Sequence, residues 1–236
     1  MASTKKETGS QVITIKPIKL QKARISLVGD TPLIIHSWSE KAKKEMLAAQ
    51  QKEKKDKKAM DIRDPFAEFM DAAYWITPEP EDKTPAAFEK AIKEGARFGF
   101  KTTAIKQAAL SACYRAGIIP NQTGMKCMFY INAAADDLYR ESGEELVEIK
   151  SSKPPIMRED MVKIGGINKT ADLRYRPMFV DWRIDLIVTL IDVGVFTMDS
   201  IINAINMGGY MNGIGEWRME RDGDFGRFHV ELKEGK

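Results

Sequence analysis

Apolar and polar residues alternate along four stretches of the chain, and each of these stretches predicts a strand. The clearest is 179–192, where one face is regularly apolar and the other also carries apolar side chains, which indicates a central strand. Residues 22–35 alternate and then become continuously apolar after a Gly-Asp kink, which indicates a core strand. The remaining strands are predicted at 125–133 and 227–232, with a short additional one at 146–149.

Capping signals predict helices between these strands. A Lys-rich helix is expected at 40–58. Residues 61–101 look like an insertion with a helix over 84–94, in which Thr84 is the cap and Pro85 takes the first position.

Two further helices are expected at 102–116, where Gly117 ends the helix, and at 197–207. Small residues of the first are expected to let it lie close to a sheet, namely Ala108, Ala109, Ser111 and Ala112.

Without its insertions, the predicted order is βαββαβ, the ferredoxin-like or RRM-like arrangement of an α+β protein. We expect a flexible tail over 1–20 and a single domain over 21–236, with a helical insertion at 61–101 and a second, hairpin-like insertion at 150–177. The segment 136–145 is an acidic turn region.

The second insertion, 150–177, is basic and has Gly165-Gly166 midway between two partly β-like flanks, which predicts an extended β-hairpin that projects from the domain. A long surface loop is the alternative. Loops of this length inside compact domains are uncommon unless they are functional or disordered, so we favour a functional projection. Its candidate phosphate ligands are Arg158, Lys163, Lys169, Arg174 and Arg176.

Residues 208–226 contain six glycines interleaved with Arg218 and Arg221, and Arg227 follows. We expect Gly209 to end the preceding helix in a left-handed conformation. Gly213 and Gly215 would then let the backbone approach a phosphate chain. The alternative is a structural connector with an exposed turn at Asp222-Gly223.

The net charge of +3 is unevenly distributed. Residues 1–60 carry 14 Lys and Arg against 6 Asp and Glu, and residues 150–183 carry 8 against 4. Two basic segments in an otherwise acidic chain favour a localised surface for a polyanion, although 41–58 taken alone is better explained as a solvated helix face.

The strand order, the hairpin and the glycine loop together resemble the RAMP superfamily, particularly the backbone subunits of CRISPR effector complexes. Those proteins have a modified RRM-like core, a glycine-rich loop before the last strand and a "thumb" hairpin between the second and third strands. An uncharacterised phage protein family, which we associate with DNA metabolism, is similar in the segments DTPLIIHSWSEKAKKEML, MREDMVKIGGINKTADLRYRPMFVDW and GIGEWRMERDGDFGRF. The resemblance implies subunits that lie side by side along a nucleic-acid strand.

Signatures of metal sites, NTPases and dinucleotide binding are missing from the sequence, so we expect neither a cofactor nor an enzyme. Without a signal region or a membrane span, and with only Cys113 and Cys127 as thiols, a cytoplasmic protein is expected, in the bacterial host if the gene belongs to a phage. Some RAMP proteins cleave RNA without metal and have a histidine near the first helix. By that resemblance His36 is a candidate general base.

We therefore expect a protein that binds single-stranded DNA or RNA and assembles with itself into a filament or array. The alternative is a phage structural or assembly protein whose basic surfaces contact protein. Trp38, Tyr175 and Trp217 are candidates for stacking on bases. The candidate binding residues are Lys101, Lys106, Arg158, Lys163, Lys169, Arg174, Arg176, Gly213, Gly215, Arg218, Arg221, Arg227, Trp38 and Trp217.

Overall fold

The computed structural model describes residues 17–38, 43, 46–48, 50–51, 63–133, 146–164 and 170–232, and they form an α+β protein with antiparallel sheets. The strands are β1 (Lys19–Gly29), β2 (Leu33–Ile34), β3 (Phe98–Lys101), β4 (Phe129–Ala133), β5 (Leu146–Ile149), β6 (Ile156–Ile164), β7 (Thr170–Phe179), β8 (Arg183–Asp192) and β9 (Phe228–Leu232). The helices are α1 (Pro65–Asp71), α2 (Pro85–Lys93), α3 (Thr102–Arg115), α4 (Gln122–Lys126) and α5 (Met198–Met211).

The main sheet has the strand order β4-β8-β1-β9, and every neighbouring pair is antiparallel. Directly opposed residues share a face, so Ile25 with Leu186 and Leu27 with Ile184 define one fully buried face. Helices α3 and α5 pack together and cover this face. The predicted central position of the strand at 179–192 is confirmed by β8, which lies between β4 and β1.

The segment 179–192 is nevertheless two strands, because the chain leaves one sheet and enters another. β7 ends at Phe179 in a smaller sheet of order β2-β7-β6, and β8 begins at Arg183 in the main sheet. The predicted strand at 22–35 divides at the matching point into β1 and β2. A hydrogen bond connects the two points at which the strands are interrupted: the indole N–H of Trp182 donates to the Thr31 carbonyl at 2.8 Å.

Several local expectations hold. Thr84 caps α2 ahead of Pro85, α3 ends before Gly117 with φ +72°, and 146–149 forms β5 in a two-stranded ribbon with β3. The hairpin at 150–177 is present as β6 and β7, which pair from Ile156 with Met178 to Ile164 with Thr170.

Other expectations are corrected. The strand predicted from Met125 begins only at Phe129, because Asn121 caps the short helix α4 with hydrogen bonds to the backbone of Thr123 and Gly124. Strand β3 was not predicted, since its four residues are too few for a periodic signal. The helix expected at 40–58 lies mostly outside the described residues, of which 43, 46–48 and 50 are helical. Residues 136–145, Gly165-Gly166, Lys169 and most of the 1–20 tail also lie outside them.

Gly209 does not end its helix. Helix α5 continues to Met211, and a Cβ on Gly209 would lie 2.1 Å from the carbonyl oxygen of Phe228 in β9. A Cβ on Gly208 would lie 2.7 Å from the backbone nitrogen of Ala109 in α3. These glycines let α5 approach both neighbours closely. On the side of α3, the close contact with Gly208 is made at Ala108 and Ala109, two of the small residues noted in the sequence. The residue that turns left-handed after the helix is Gly213, with φ +68°.

Candidate nucleic-acid interface

Backbone hydrogen bonds hold the glycine loop, residues 212–227, against strand β2 and the residue before it. The amide of Glu216 donates to the Ile34 carbonyl at 2.9 Å, and that of Gly226 donates to the Pro32 carbonyl at 2.8 Å. Gly215 has φ +81°, and a Cβ there would lie 2.3 Å from the Ile34 carbonyl oxygen. The close approach that the sequence predicted is therefore made to strand β2 of the same chain.

The hairpin β6–β7 meets this loop at its base. The guanidinium of Arg158 lies 4.5 Å from the centre of the Phe225 ring and donates through Nε to Asp160 at 2.8 Å. Arg176 is buried and pairs with the buried Asp160 at 3.4 Å, and it lies 3.8 Å from Glu216 in the loop. Burial corrects the role predicted for Arg176: its guanidinium holds the hairpin to the loop and is not an exposed phosphate ligand.

His36 is the third partner of Arg176, which donates from Nε to His36 Nδ1 at 3.2 Å. Burial and the neighbouring positive charge of Arg176 lower the pKa of His36 below 6.5, so the imidazole is neutral at pH 7. A neutral imidazole has the protonation state of a general base. However, its Nδ1 is already occupied by Arg176.

Three further arginines of the predicted site are also paired with carboxylates. Arg174 pairs with Asp172 at 2.9 Å, Arg218 with Glu220 at 2.9 Å, and Arg227 with Asp224 at 3.2 Å. Charges neutralised in this way attract a polyanion weakly, which a count of arginines in the sequence does not reveal. Within the described part of the chain, Arg221 and Lys163 are the two predicted cations that are exposed and have no ion pair.

The remaining predicted residues are dispersed. The ammonium of Lys101 lies 5.5 Å from the centre of the Tyr74 ring, and that of Lys106 lies 5.1 Å from the centre of the Phe129 ring, where burial lowers the pKa of Lys106. Trp38 is exposed, as base stacking requires. Trp217 is half-buried with φ +50°. Tyr175 is half-buried, and its hydrogen bond with Glu159 raises the pKa of the phenol.

The face of the main sheet opposite the helices is polar, and the sequence-based site did not include it. Across β1 and β8, Lys22 is opposite Thr189 and Arg24 is opposite Ile187. Tyr130 of the edge strand β4 is opposite Thr189 from the other side. We call this surface the open face; its further members are Ser26, Val28, Asn132, Arg183, Asp185, His229 and Glu231.

Charges on the open face are distributed unequally. Asp185 accepts hydrogen bonds from the Ser26 hydroxyl and from Lys150 Nζ, the latter at 2.9 Å, and Arg183 pairs with Glu231 at 2.9 Å. Lys22 and Arg24 are exposed, and neither forms an ion pair with any residue that the structure describes. The polar positions that alternate with Ala23, Ile25 and Leu27 were the sequence signal for this face.

Comparison with models of known protein families gives no match, and comparison with curated proteins gives none either. Among the described residues, no helix is long and apolar enough to cross a membrane. The same part of the chain contains no group of three or more His, Cys, Asp or Glu side chains arranged to hold a metal ion.

The geometry predicts that Gly215→Ala destabilises the protein more than Gly117→Ala. Both glycines have positive φ, which costs an alanine about 1–2 kcal/mol. A Cβ at Gly117 meets open space, whereas one at Gly215 meets the Ile34 carbonyl, which adds an overpacking cost of about 1–3 kcal/mol. Denaturant unfolding of both variants measures the difference. If Gly215→Ala instead keeps its stability and loses affinity for oligonucleotides, the prediction is wrong and the loop contacts the nucleic acid directly.

The environment of His36 predicts a pH dependence of stability. Because its pKa is lowered in the folded state, the unfolded chain binds the proton more readily, and stability falls as the pH drops below about 6.5. His36→Gln should flatten this part of the profile of unfolding free energy against pH relative to wild type. His229→Gln is the matched control on the only other histidine. Equal acid slopes for His36→Gln and wild type would contradict the assignment.

Proposed function

We propose that the protein binds single-stranded nucleic acid on the open face of an RRM-like core. The strand order β4-β8-β1-β9 supports such a core, together with α3 between β1 and β4 and α5 between β8 and β9. The four main strands and two helices then read βαββαβ, and the other elements are insertions. RRM sheets bind unstacked bases on the face that their helices leave free.

The unpaired cations of the open face carry this proposal. Lys22 and Arg24 stand two residues apart on one strand, exposed, on the same face as Tyr130, which is 39% exposed. Cations beside an exposed ring are the combination that holds a phosphate backbone and stacks a base without sequence preference. Thr189, which lies between Lys22 and Tyr130, is fully buried, and so is Ser26, the next residue after Arg24 on this face of β1.

Under the same proposal, the hairpin and the glycine loop form a rigid rim beside the sheet. The Arg176–Asp160 pair and the Arg158–Phe225 contact fix the hairpin base to the loop. Exposed Arg221 would add a phosphate contact from this rim. Self-association along the strand, as in a RAMP-like backbone, and a place in phage DNA metabolism in the host cytoplasm belong to the proposal as well.

We propose binding without catalysis. Nδ1 of His36 accepts from Arg176, and the nearby carboxylates Asp160 and Glu216 are themselves paired with that arginine, so no proton donor partners His36 among them.

A phage structural or assembly protein is the second candidate, and the neutralised arginines favour it. Arg158, Arg174, Arg218 and Arg227 all have carboxylate partners, as in a surface that contacts protein or solvent. Binding titrations with single-stranded DNA, RNA and duplex DNA at several salt concentrations separate the candidates. For a protein that binds nucleic acid, the logarithm of the binding constant falls linearly with the logarithm of the salt concentration, and the slope is set by the number of phosphates that the protein neutralises.

Lys22→Ala combined with Arg24→Ala should weaken single-strand binding and reduce its salt slope by about 0.7 for each phosphate that is no longer neutralised. The control is Lys90→Ala combined with Lys93→Ala, two exposed cations on α2, which is not part of the main sheet; Lys90 lies 3.9 Å from Glu94. Fluorescence anisotropy with a labelled oligonucleotide measures both. An unchanged slope in the folded sheet variant would exclude the open face as the phosphate site.

Tyr130→Ala should weaken binding by about 1–3 kcal/mol with little change in salt slope, because stacking is removed and the charge stays the same. Tyr130→Phe keeps the ring and should bind like wild type. Tyr114→Ala, which removes a similarly exposed ring on α3, is the control away from the face. Quenching of tyrosine fluorescence by the oligonucleotide in wild type, absent in Tyr130→Ala, would report the stacking itself.

A further inference from the structure

Strand β6 is an edge strand that carries exposed apolar side chains. It is the outer member of the sheet β2-β7-β6, and no strand in the described residues pairs with its free side. Met161 is 66% exposed, and Leu173, directly opposite it on β7, is 39% exposed. An edge of nine residues with this composition is a template for pairing with another chain.

The backbone determines which residues of β6 can pair outwards. Pro177 has no N–H, and its carbonyl accepts from Ile35 at 3.0 Å on the side of β2. Pro177 therefore exchanges no hydrogen bonds with Met157, its opposite residue on β6. Hydrogen-bonded and non-hydrogen-bonded pairs alternate along an antiparallel ladder. Met157, Glu159, Met161 and Lys163 thus direct their N–H and C=O groups to the free edge.

These same residues are complementary to themselves. If two copies of β6 pair antiparallel about a twofold axis at Met161, Glu159 lies opposite Lys163 of the partner copy and Lys163 lies opposite Glu159. All three are exposed, and their side chains share one face. Opposite charges directly across a ladder stabilise it, whereas an axis at Glu159 would place two carboxylates together. The Met161 and Leu173 side chains of both copies would form one apolar cluster.

We infer that the protein forms a twofold dimer through antiparallel pairing of β6 with β6 of a second copy, centred on Met161. The two β2-β7-β6 sheets become one continuous sheet of double width. A twofold contact is closed, so the unit that results is a dimer, and any longer array along a strand is built from dimers. The inference needs no nucleic acid and is independent of the open face.

Charge variants test the register. Glu159→Lys gives four cations at the contact and Lys163→Glu gives four anions, so each variant alone should be monomeric in sedimentation velocity at concentrations at which wild type is dimeric. Mixed together, the two variants should form a heterodimer, because each new charge meets its opposite. Lys93→Glu makes the same charge change on α2 and should leave the wild-type dimer intact. Circular dichroism confirms that each variant is folded.

Crosslinking tests the geometry at the axis. Residues that form a hydrogen-bonded antiparallel pair have Cα atoms roughly 5.5 Å apart, within disulfide range. Met161→Cys in a Cys127→Ser background should therefore yield a covalent dimer on mild oxidation. Met157→Cys in the same background should not, since its position lies four residues from the axis.

A monomeric wild type, or a dimer that neither single charge variant disrupts, would overturn the inference, as would equal crosslinking at both positions. Such a result leaves the proposed function standing, because each monomer carries a complete open face. Conversely, a wild-type dimer that binds no oligonucleotide would count against the open face alone.

Discussion

The close backbone contact between the glycine loop and strand β2 holds the two sheets in their relative positions. Gly215 and Gly226 lack the Cβ atoms that would otherwise collide with the carbonyls of Ile34 and Ile214. Because β2 pairs with β7, fixing β2 also fixes the base of the hairpin, where Arg176 joins Asp160, Glu216 and His36. One tight approach therefore determines where the hairpin stands relative to the main sheet.

The sequence was most informative where a pattern repeats. Alternation located β1, β8 and β9, and Thr84-Pro85 located the start of α2. Sequence patterns failed where a contact with a distant residue decides the structure. No local signal shows that Gly209 packs against the backbone of Phe228. None shows that a strand ends where the Trp182 indole donates to the Thr31 carbonyl. The hairpin was predicted from Gly165-Gly166 between two β-like flanks, but Asp160 and Glu216, the partners of Arg176, lie 16 and 40 residues away from it and give no periodic signal.

The same limit explains why the predicted site and the open face differ. Charge in a sequence is counted residue by residue, whereas a polyanion responds to charge that remains after pairing and burial. An exposed pair contributes roughly 0–1 kcal/mol to stability but largely cancels the field of its arginine at a distance. Arg174, Arg218 and Arg227 are cancelled in this way. Lys22 and Arg24 come from a segment that looked like an ordinary core strand.

Both proposals follow from the strict two-residue period of strands. On β1, the period separates Ile25 and Leu27 in the core from Lys22 and Arg24 outside. On β6, the same period places the outward backbone groups and the self-complementary charges on one set of alternate residues, which begins at Met157 and ends at Lys163. Arg158 and Asp160 lie between them and are on the side of the glycine loop. A shift of one residue in β1 would bury Lys22 and Arg24 and expose Ile25 and Leu27. In β6 the same shift would turn Glu159, Met161 and Lys163 away from the exposed face. The register that keeps the core out of water therefore also determines which surfaces are available to partners.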